Sequence, residues 1–306
     1  MHYSGFADEA ADTLAGQIAA TKALGWTAIE SRKIDKVMIH DLDDVAFDRA
    51  CGELRDQGIT IDCIGSAIAN WQKSIDQPMD ASLAEARRCI TRMARLGTRQ
   101  VRIMSFALRK DAQGQILEDQ DDRERFRRLR ELQRLFADAG LEAVHENCMN
   151  YGGMSWAHTL RLVENVPGLK LVFDTGNPTF TADHTRPVGP DGTRPLQSSW
   201  EFYRQVRDHV ARIHIKDGRM GADGKHVHTW PGEGNGDVKA ILGDLLARGY
   251  DGAISIEPHL AVVHHDPQVA SAPEDRHDIY VNYGRRVMAL VESLRPPARM
   301  TGHGVE

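Results

Sequence analysis

One unit recurs along the chain and limits what it can fold into. It is an amphipathic helical stretch, a glycine suited to the left-handed conformation that ends a helix, then a short β-branched run. The unit appears at Gly25 before TAIE, Gly58 before ITIDCI, Gly97 before TRQVRI, Gly140 before LEAVHE, Gly168 before LKLVFD and Gly249 before YDGAISIE. Successive glycines are 33, 39, 43, 28 and 81 residues apart, and the longest interval holds two units because ARIHIK forms a further strand inside it. The period is therefore roughly forty residues, the length of one strand with its helix.

Adding the segment from Tyr3 to Phe6 gives eight strands, near residues 3, 28, 61, 102, 143, 172, 213 and 255. Strands alternating with helices pair in parallel through right-handed crossovers, which leaves a closed barrel or an open doubly wound sheet. No Gly-rich phosphate fingerprint follows the first strand, where an open dinucleotide-binding sheet would carry it. The sequence predicts a (β/α)8 TIM barrel, an architecture that takes ~250 residues or more as one unit. We assign residues 1–294 to a single barrel domain and residues 295–306, RPPARMTGHGVE, to a flexible tail rich in Pro and Gly. Asp12, Ser155 and Asp237 are the expected N-caps of three helices.

Composition excludes several classes of partner. A formal charge of -6 opposes a nucleic acid, whose binding draws on Lys and Arg at the phosphates. The charge run from Asp121 to Arg134 carries Phe126, Leu129, Leu132 and Leu135 at near-helical spacing and reads as a solvated helix face. No stretch has the ~18 uncharged apolar residues of a membrane span, and the first ten residues lack signal-peptide character, so a cytoplasmic location is expected. Cys51, Cys63, Cys89 and Cys148 form no CxxC pair and are expected to be reduced thiols.

Long connections follow the fourth, sixth, seventh and eighth strands, at 106–120, 178–197, 218–236 and 260–275. All leave strand C-termini, the face on which barrel enzymes build their sites.

On that face four consecutive strands end in a potential metal ligand: Glu146 in VHEN, Asp174 in VFDTGN, His214 in RIHIKD and Glu257 in SIEPH. Neighbouring strands lie ~4.8 Å apart, so inward side chains at one height converge. Alternation supports three of the four: Ile213 and Ile215 must meet the helices, which sends Arg212, His214 and Lys216 inward, and the same reasoning sends Asp174 and Glu257 inward. On the fifth strand an inward Glu146 sends His145 and Asn147 away from the axis. Like charges so crowded require a cation. Three carboxylates and an imidazole suit one divalent ion, Mn2+ first, with Co2+, Mg2+ and Zn2+ as alternatives.

The strand-end series HEN, FDTGNP, HIKD, PGEGNGD and SIEPH resembles the sugar phosphate isomerase/epimerase superfamily of xylose isomerase-like barrels, which includes ketose 3-epimerases, inosose dehydratases and endonuclease IV. The resemblance covers nearly the whole barrel and implies that Glu146, Asp174, His214 and Glu257 are metal ligands. It also implies that the two glutamates exchange protons with substrate. The chain departs from many epimerases at Asn177, where they carry His; Asn hydrogen-bonds a hydroxyl but moves no proton. Endonuclease IV holds three zinc ions with extra histidines, where this chain has residues around Ser66, Ser105 and Asn177, so the nuclease reading is not supported.

The expected activity is isomerisation or epimerisation of a sugar or polyol by proton abstraction beside a carbonyl through a metal-stabilised enediolate. The alternative is a lyase that expels a β-substituent, with His145, Lys216 or His228 protonating the leaving group. A third class is a non-catalytic sugar-binding subunit that keeps a structural metal. Lys216 either polarises the carbonyl or pairs with Asp217 or another carboxylate. Glu30 faces inward and either binds a hydroxyl or makes an ion pair; Asn177 and His228 complete the substrate-binding candidates. Arg109, Arg186 and Arg194 lie on long loops and either hold a phosphate or carboxylate or are exposed without a specific role, and Trp71 and Trp230 either stack on a sugar ring or pack. The partner is a small molecule, with neither nucleic acid nor membrane, and a homo-oligomer is compatible with the sequence.

Overall fold

The computed structural model describes residues 1–263, 266–270 and 273–295. Residues 296–306 of the assigned tail lie outside the described residues. Eight strands, β1 (His2–Gly5), β2 (Ala28–Ser31), β3 (Thr60–Gly65), β4 (Gln100–Ile103), β5 (Glu142–Glu146), β6 (Lys170–Asp174), β7 (Val210–Ile215) and β8 (Ala253–Ile256), form one parallel sheet. Its order is β1-β8-β7-β6-β5-β4-β3-β2, and a parallel bridge between Phe6 and Glu30 returns β1 to β2 and closes the barrel. Each of the eight positions read from the sequence falls inside one of these strands.

Helices α1 (Leu14–Ala23), α2 (Asp44–Gln57), α3 (Asp80–Leu96), α4 (Asp122–Asp138), α5 (Trp156–Asn165), α6 (Ser199–Val206), α7 (Val238–Ala247) and α8 (Pro273–Leu294) follow the strands in turn. Gly58 and Gly97 end α2 and α3 with φ of 66° and 72°, the left-handed cap that a side chain would strain. Ser155 caps α5 as expected, accepting from the His158 N–H. Thr13 rather than Asp12 caps α1, and Asp237 stands at the start of α7 while its Oδ2 accepts from the Trp200 N–H of α6. Asp12 instead pairs with Arg276 of α8 at 3.0 Å.

The main core lies between strands and helices: Leu171, Phe173, Ile213, Ile215, Ile254 and Ile256 all belong to it. Phe173 meets Phe202 and Tyr203 of α6 edge-on at 5.6 and 5.5 Å. Inside the barrel, Cys63, Val144 and Val172 make a separate small cluster. Val144 and Val172 stand two residues before Glu146 and Asp174, so alternation places an apolar plug under the strand ends and polar side chains above it. All four cysteines are free. Among the described residues no helix is long and apolar enough to cross a membrane.

Candidate metal centre

Glu146 ends β5, Asp174 ends β6, His214 is the fifth residue of β7, and Glu257 follows β8 directly. Asp174 pairs in register with His214, and His214 with Ser255, which fixes their relative heights. One ligand atom from each of Glu146, Asp174, His214 and Glu257 lies within 4.8 Å of the others, and all four side chains are buried. His214 Nδ1 stands 3.5 Å from Glu146 Oε1 and 3.8 Å from Glu257 Oε2. The N–H groups of Gly176 and Asn177 donate to Asp174 Oδ1 at 2.9 and 2.6 Å, which turns Oδ2 toward the cluster.

These groups fit a divalent cation. His214 Nδ1 is buried without a hydrogen-bond partner, and Asp174 Oδ2, also buried, has only the Lys216 ammonium 3.2 Å away outside hydrogen-bond geometry, a costly arrangement unless something else satisfies them. Burial, with Glu257 and Glu146 alongside, drives the Asp174 carboxyl up to about 7 against the pull of Lys216. Burial disfavours the His214 imidazolium, yet Glu30 and Glu146 carry it up to about 10. Both shifts run toward protonation of a ligand atom in the cluster, and a 2+ ion with ligands of this mixed hardness would take the place of those protons.

The opposite side of the cluster is cationic. Arg102, inward on β4, donates to Glu146 Oε2 at 2.9 Å, and Arg32, just past β2, donates to Glu257 Oε1 at 3.2 Å and to both oxygens of Asp8. Burial would raise Glu146, but Arg102 and His214 bring it to about 2; Lys216, His259 and Arg32 likewise overcome burial and hold Glu257 well below the carboxylate range. The Phe6 ring lies under both guanidinium groups, 4.4 Å from Arg32 and 5.1 Å from Arg102. Gly65 makes room for that ring: a Cβ there would come within 2.3 Å of it.

The loop after β7 is tied down by one carboxylate. Asp217 Oδ1 accepts from the N–H groups of Gly218 and Gly236, and Oδ2 from those of Gly232 and Gly234. A Cβ on Gly234 or Gly236 would meet Asp217 Oδ1 at 2.4 or 2.8 Å, so PGEGNGD and HIKD form one structural unit. Above the cluster opens a cavity of about 370 Å3, with Glu146, Glu257 and Lys216 at its floor and Trp71, Phe180 and His228 among its walls.

The xylose isomerase-like TIM barrel family model matches residues 18–276. The chain belongs to this family. A xylose isomerase-like TIM barrel protein from Mycobacterium smegmatis in complex with magnesium has 16% identity and a TM-score of 0.68, covering 96% of this chain and 97% of that one. The probable 3-DHS dehydratase involved in petrobactin synthesis from Bacillus anthracis has 16% identity and a TM-score of 0.67, covering 94% and 99%. D-psicose 3-epimerase with D-tagatose from Clostridium cellulolyticum H10 has 14% identity and a TM-score of 0.67, covering 97% and 100%. No curated protein sequence matches the chain.

Of the residues singled out from the sequence of this family member, the cavity brings together Glu146, Glu257, Lys216, Asn177, His228 and Trp71. Asn177 Nδ2 donates to Glu146 Oε1 at 3.3 Å. Lys216 Nζ sits 3.2 Å from Asp174 Oδ2 and 3.1 Å from Glu257 Oε2, so it pairs with the cluster and not with Asp217. His145 does not reach the cluster: next to an inward Glu146 it faces outward, with Nε2 3.0 Å from Ser105 Oγ and its ring against Gly152. Burial takes it down to about 4. Glu30 is fully buried, facing His214, Arg212 and Ser255 rather than the cavity. Arg109 pairs with Asp119, Arg194 lies against the Arg186 carbonyl, and Trp230 packs at a tilt against Tyr283 with the Arg286 guanidinium over its ring, all away from the cavity. Sequence reasoning missed Arg32, Arg102 and His259, whose Nδ1 lies 2.9 Å from Glu9 Oε1.

Proposed function

We propose that this protein is a divalent-metal-dependent isomerase or epimerase that moves a proton beside the carbonyl of a small sugar or polyol. The observation that carries the reading is the pair of glutamates: each is gripped through one oxygen by an arginine and offers the other to the same small space. Glu146, Asp174, His214 and Glu257 would hold the ion, with Mn2+ as the first choice and Co2+, Mg2+ or Zn2+ as alternatives. The bound ion supplies Lewis-acid polarisation of a carbonyl oxygen and its neighbouring hydroxyl.

The chain's own groups supply the rest. One glutamate accepts the proton from carbon as its carboxylate; if it gives that proton to the neighbouring carbon the substrate is isomerised. If the other glutamate, having first taken a proton from solvent, protonates the opposite face, a centre is inverted and the first glutamate releases its proton to solvent. Asn177 Nδ2, 3.3 Å from Glu146 Oε1, helps to orient that carboxyl. Lys216 Nζ donates to a substrate oxygen from within the cluster. His228 and Trp71 line the cavity that would take the substrate. The sugar epimerase and dehydratase among the similar folds support both this reading and a lyase that begins with the same proton abstraction.

The test is hydrogen exchange into a panel of ketoses in D2O at saturating Mn2+. Wild type is expected to exchange with the carbon skeleton retained, and Glu257→Gln and Glu146→Gln to lose ~10²- to 10⁴-fold. Near-normal exchange in both variants would remove the glutamates from proton transfer. Loss of water or of an aglycone would assign a lyase.

A further inference from the structure

Beneath the cluster lies a layer of charge that the proposed chemistry does not use. Glu30 Oε2 gathers three donors: Ser255 Oγ at 2.6 Å, His214 Nε2 at 3.1 Å and an Arg212 guanidinium nitrogen at 3.3 Å. Arg212 is in turn held by Asp62 at 2.7 Å, and Asp62 accepts from Ser4 Oγ at 2.9 Å. Glu30 and Ser255 have no exposed surface, and Arg212 has almost none. Burying a carboxylate and a guanidinium here costs more than an apolar layer of the same volume would, so packing alone does not explain the layer.

We propose that Glu30 is a positioning residue of the metal centre, fixing the tautomer and ring plane of His214 and thereby setting the affinity for a divalent ion. This rests on the reading of the four-residue cluster as a metal centre. An imidazole ligates through an unprotonated nitrogen and needs an acceptor for the N–H of the other. Glu30 is that acceptor: with Nε2–H directed at Oε2, the lone pair of His214 Nδ1 faces Glu146 and Glu257. An Arg212 guanidinium nitrogen 3.3 Å from the same oxygen and the Ser255 hydroxyl at 2.6 Å complete a set of donors suited to a carboxylate acceptor. Phe6 meets the imidazole edge-on at 5.1 Å and blocks the ring from turning about its one anchored nitrogen.

The role is specific to the inside of the barrel. Glu30 is inward by strand alternation, like the four ligands, but its carboxylate meets His214 Nε2 and does not line the cavity. Glu30 has no exposed surface, so a substrate hydroxyl in the cavity does not reach it.

Mn2+ binding measured by calorimetry on the full chain after chelation tests this, comparing wild type, Glu30→Gln and Ser255→Ala. Glu30→Gln is expected to bind Mn2+ ~10- to 100-fold more weakly. Ser255→Ala, which removes one donor from Oε2 and leaves the charge, is expected to bind about threefold more weakly. A second readout is the His214 imidazole N–H in the Mg2+-loaded, 15N-labelled protein. Its proton resonance should move upfield in Glu30→Gln as a charge-assisted hydrogen bond becomes a neutral one. A merely structural role would lower the unfolding temperature yet leave the affinity and that resonance unchanged, and this result would overturn the inference. If Glu30→Gln does not fold, equal affinity and resonance in wild type and Ser255→Ala would overturn it as well. Absence of Mn2+ uptake by the wild type would remove the metal reading and this inference together, whereas equal uptake by wild type and Glu30→Gln would remove this inference alone.

Discussion

The two halves of the barrel mouth carry opposite charge. From β5 to β8 the strand ends supply three carboxylates and an imidazole, while β2 and β4 supply Arg32 and Arg102, laid over the Phe6 ring that follows β1. The difference shows how so many acids are kept together: each arginine takes one oxygen of one glutamate and leaves the other on the cluster. An anionic half without its cationic half would hold protons in place of charge. Lys216 is the exception that joins them, a cation from β7 placed among the acids.

The largest expected effect comes from the anionic half. Asp174→Asn with His214→Ala removes one carboxylate and the imidazole whose Nδ1 lacks a hydrogen-bond partner, and should abolish stoichiometric uptake of Mn2+, read by elemental analysis after dialysis. Uptake near one ion per chain in the double variant would place the ion elsewhere and break the contrast between the halves.

A smaller effect is expected from the cationic half, and it should depend on the ion. Arg102→Met leaves Glu146 buried beside Glu257 without its guanidinium, and breaking a buried pair from one side typically costs ~3–5 kcal/mol. Chelated protein should lose about that much in urea unfolding, while Mn2+-saturated protein should lose less because a 2+ ion compensates the same carboxylate. Equal losses with and without Mn2+ would show that Arg102 serves packing alone.

The two halves also differ in how far the sequence discloses them. Strand alternation sufficed for His214, Asp174 and Glu257, because β-branched or aromatic neighbours had to face the helices. It was equally available for Arg102, flanked by Val101 and Ile103 in QVRI, but a single arginine in a strand reads as a solvated residue until its carboxylate partner is known. For Arg32 and His259 there was no period to use. Arg32 lies past the end of β2, and His259 past β8 with φ of 54°, where the chain has left the strand repeat. Glu30 shows a third limit: alternation gives the side of a strand but not the height in the barrel, and a register shift between Ile29 and Glu30 alters that height. The helix start at Thr13 rather than Asp12 is the usual one-residue uncertainty between adjacent capping residues, decided here by the pull of Arg276 on Asp12.

The smallest expected effect asks whether the cationic half supplies charge or shape, and Arg32→Lys separates the two. Arg32 uses its fork twice, on both oxygens of Asp8 at 2.9 and 3.1 Å and on Glu257 Oε1 at 3.2 Å, with its planar face over Phe6. Lysine keeps the positive charge in the same buried place but cannot span two carboxylates in fixed directions. If charge is what steadies Glu257, Arg32→Lys loses one charge-assisted hydrogen bond and part of a stacking contact, ~1–2 kcal/mol in chelated protein. That is well below the loss expected from Arg102→Met, and deuterium exchange into substrate should then fall by less than ~10-fold, since Glu257 retains an opposite charge beside it. A loss equal to that of Arg102→Met would mean that the fork holds Glu257 Oε2 on the cluster. In that case the arginines direct the glutamates as much as they neutralise them, and exchange should fall with the loss of direction even at saturating Mn2+.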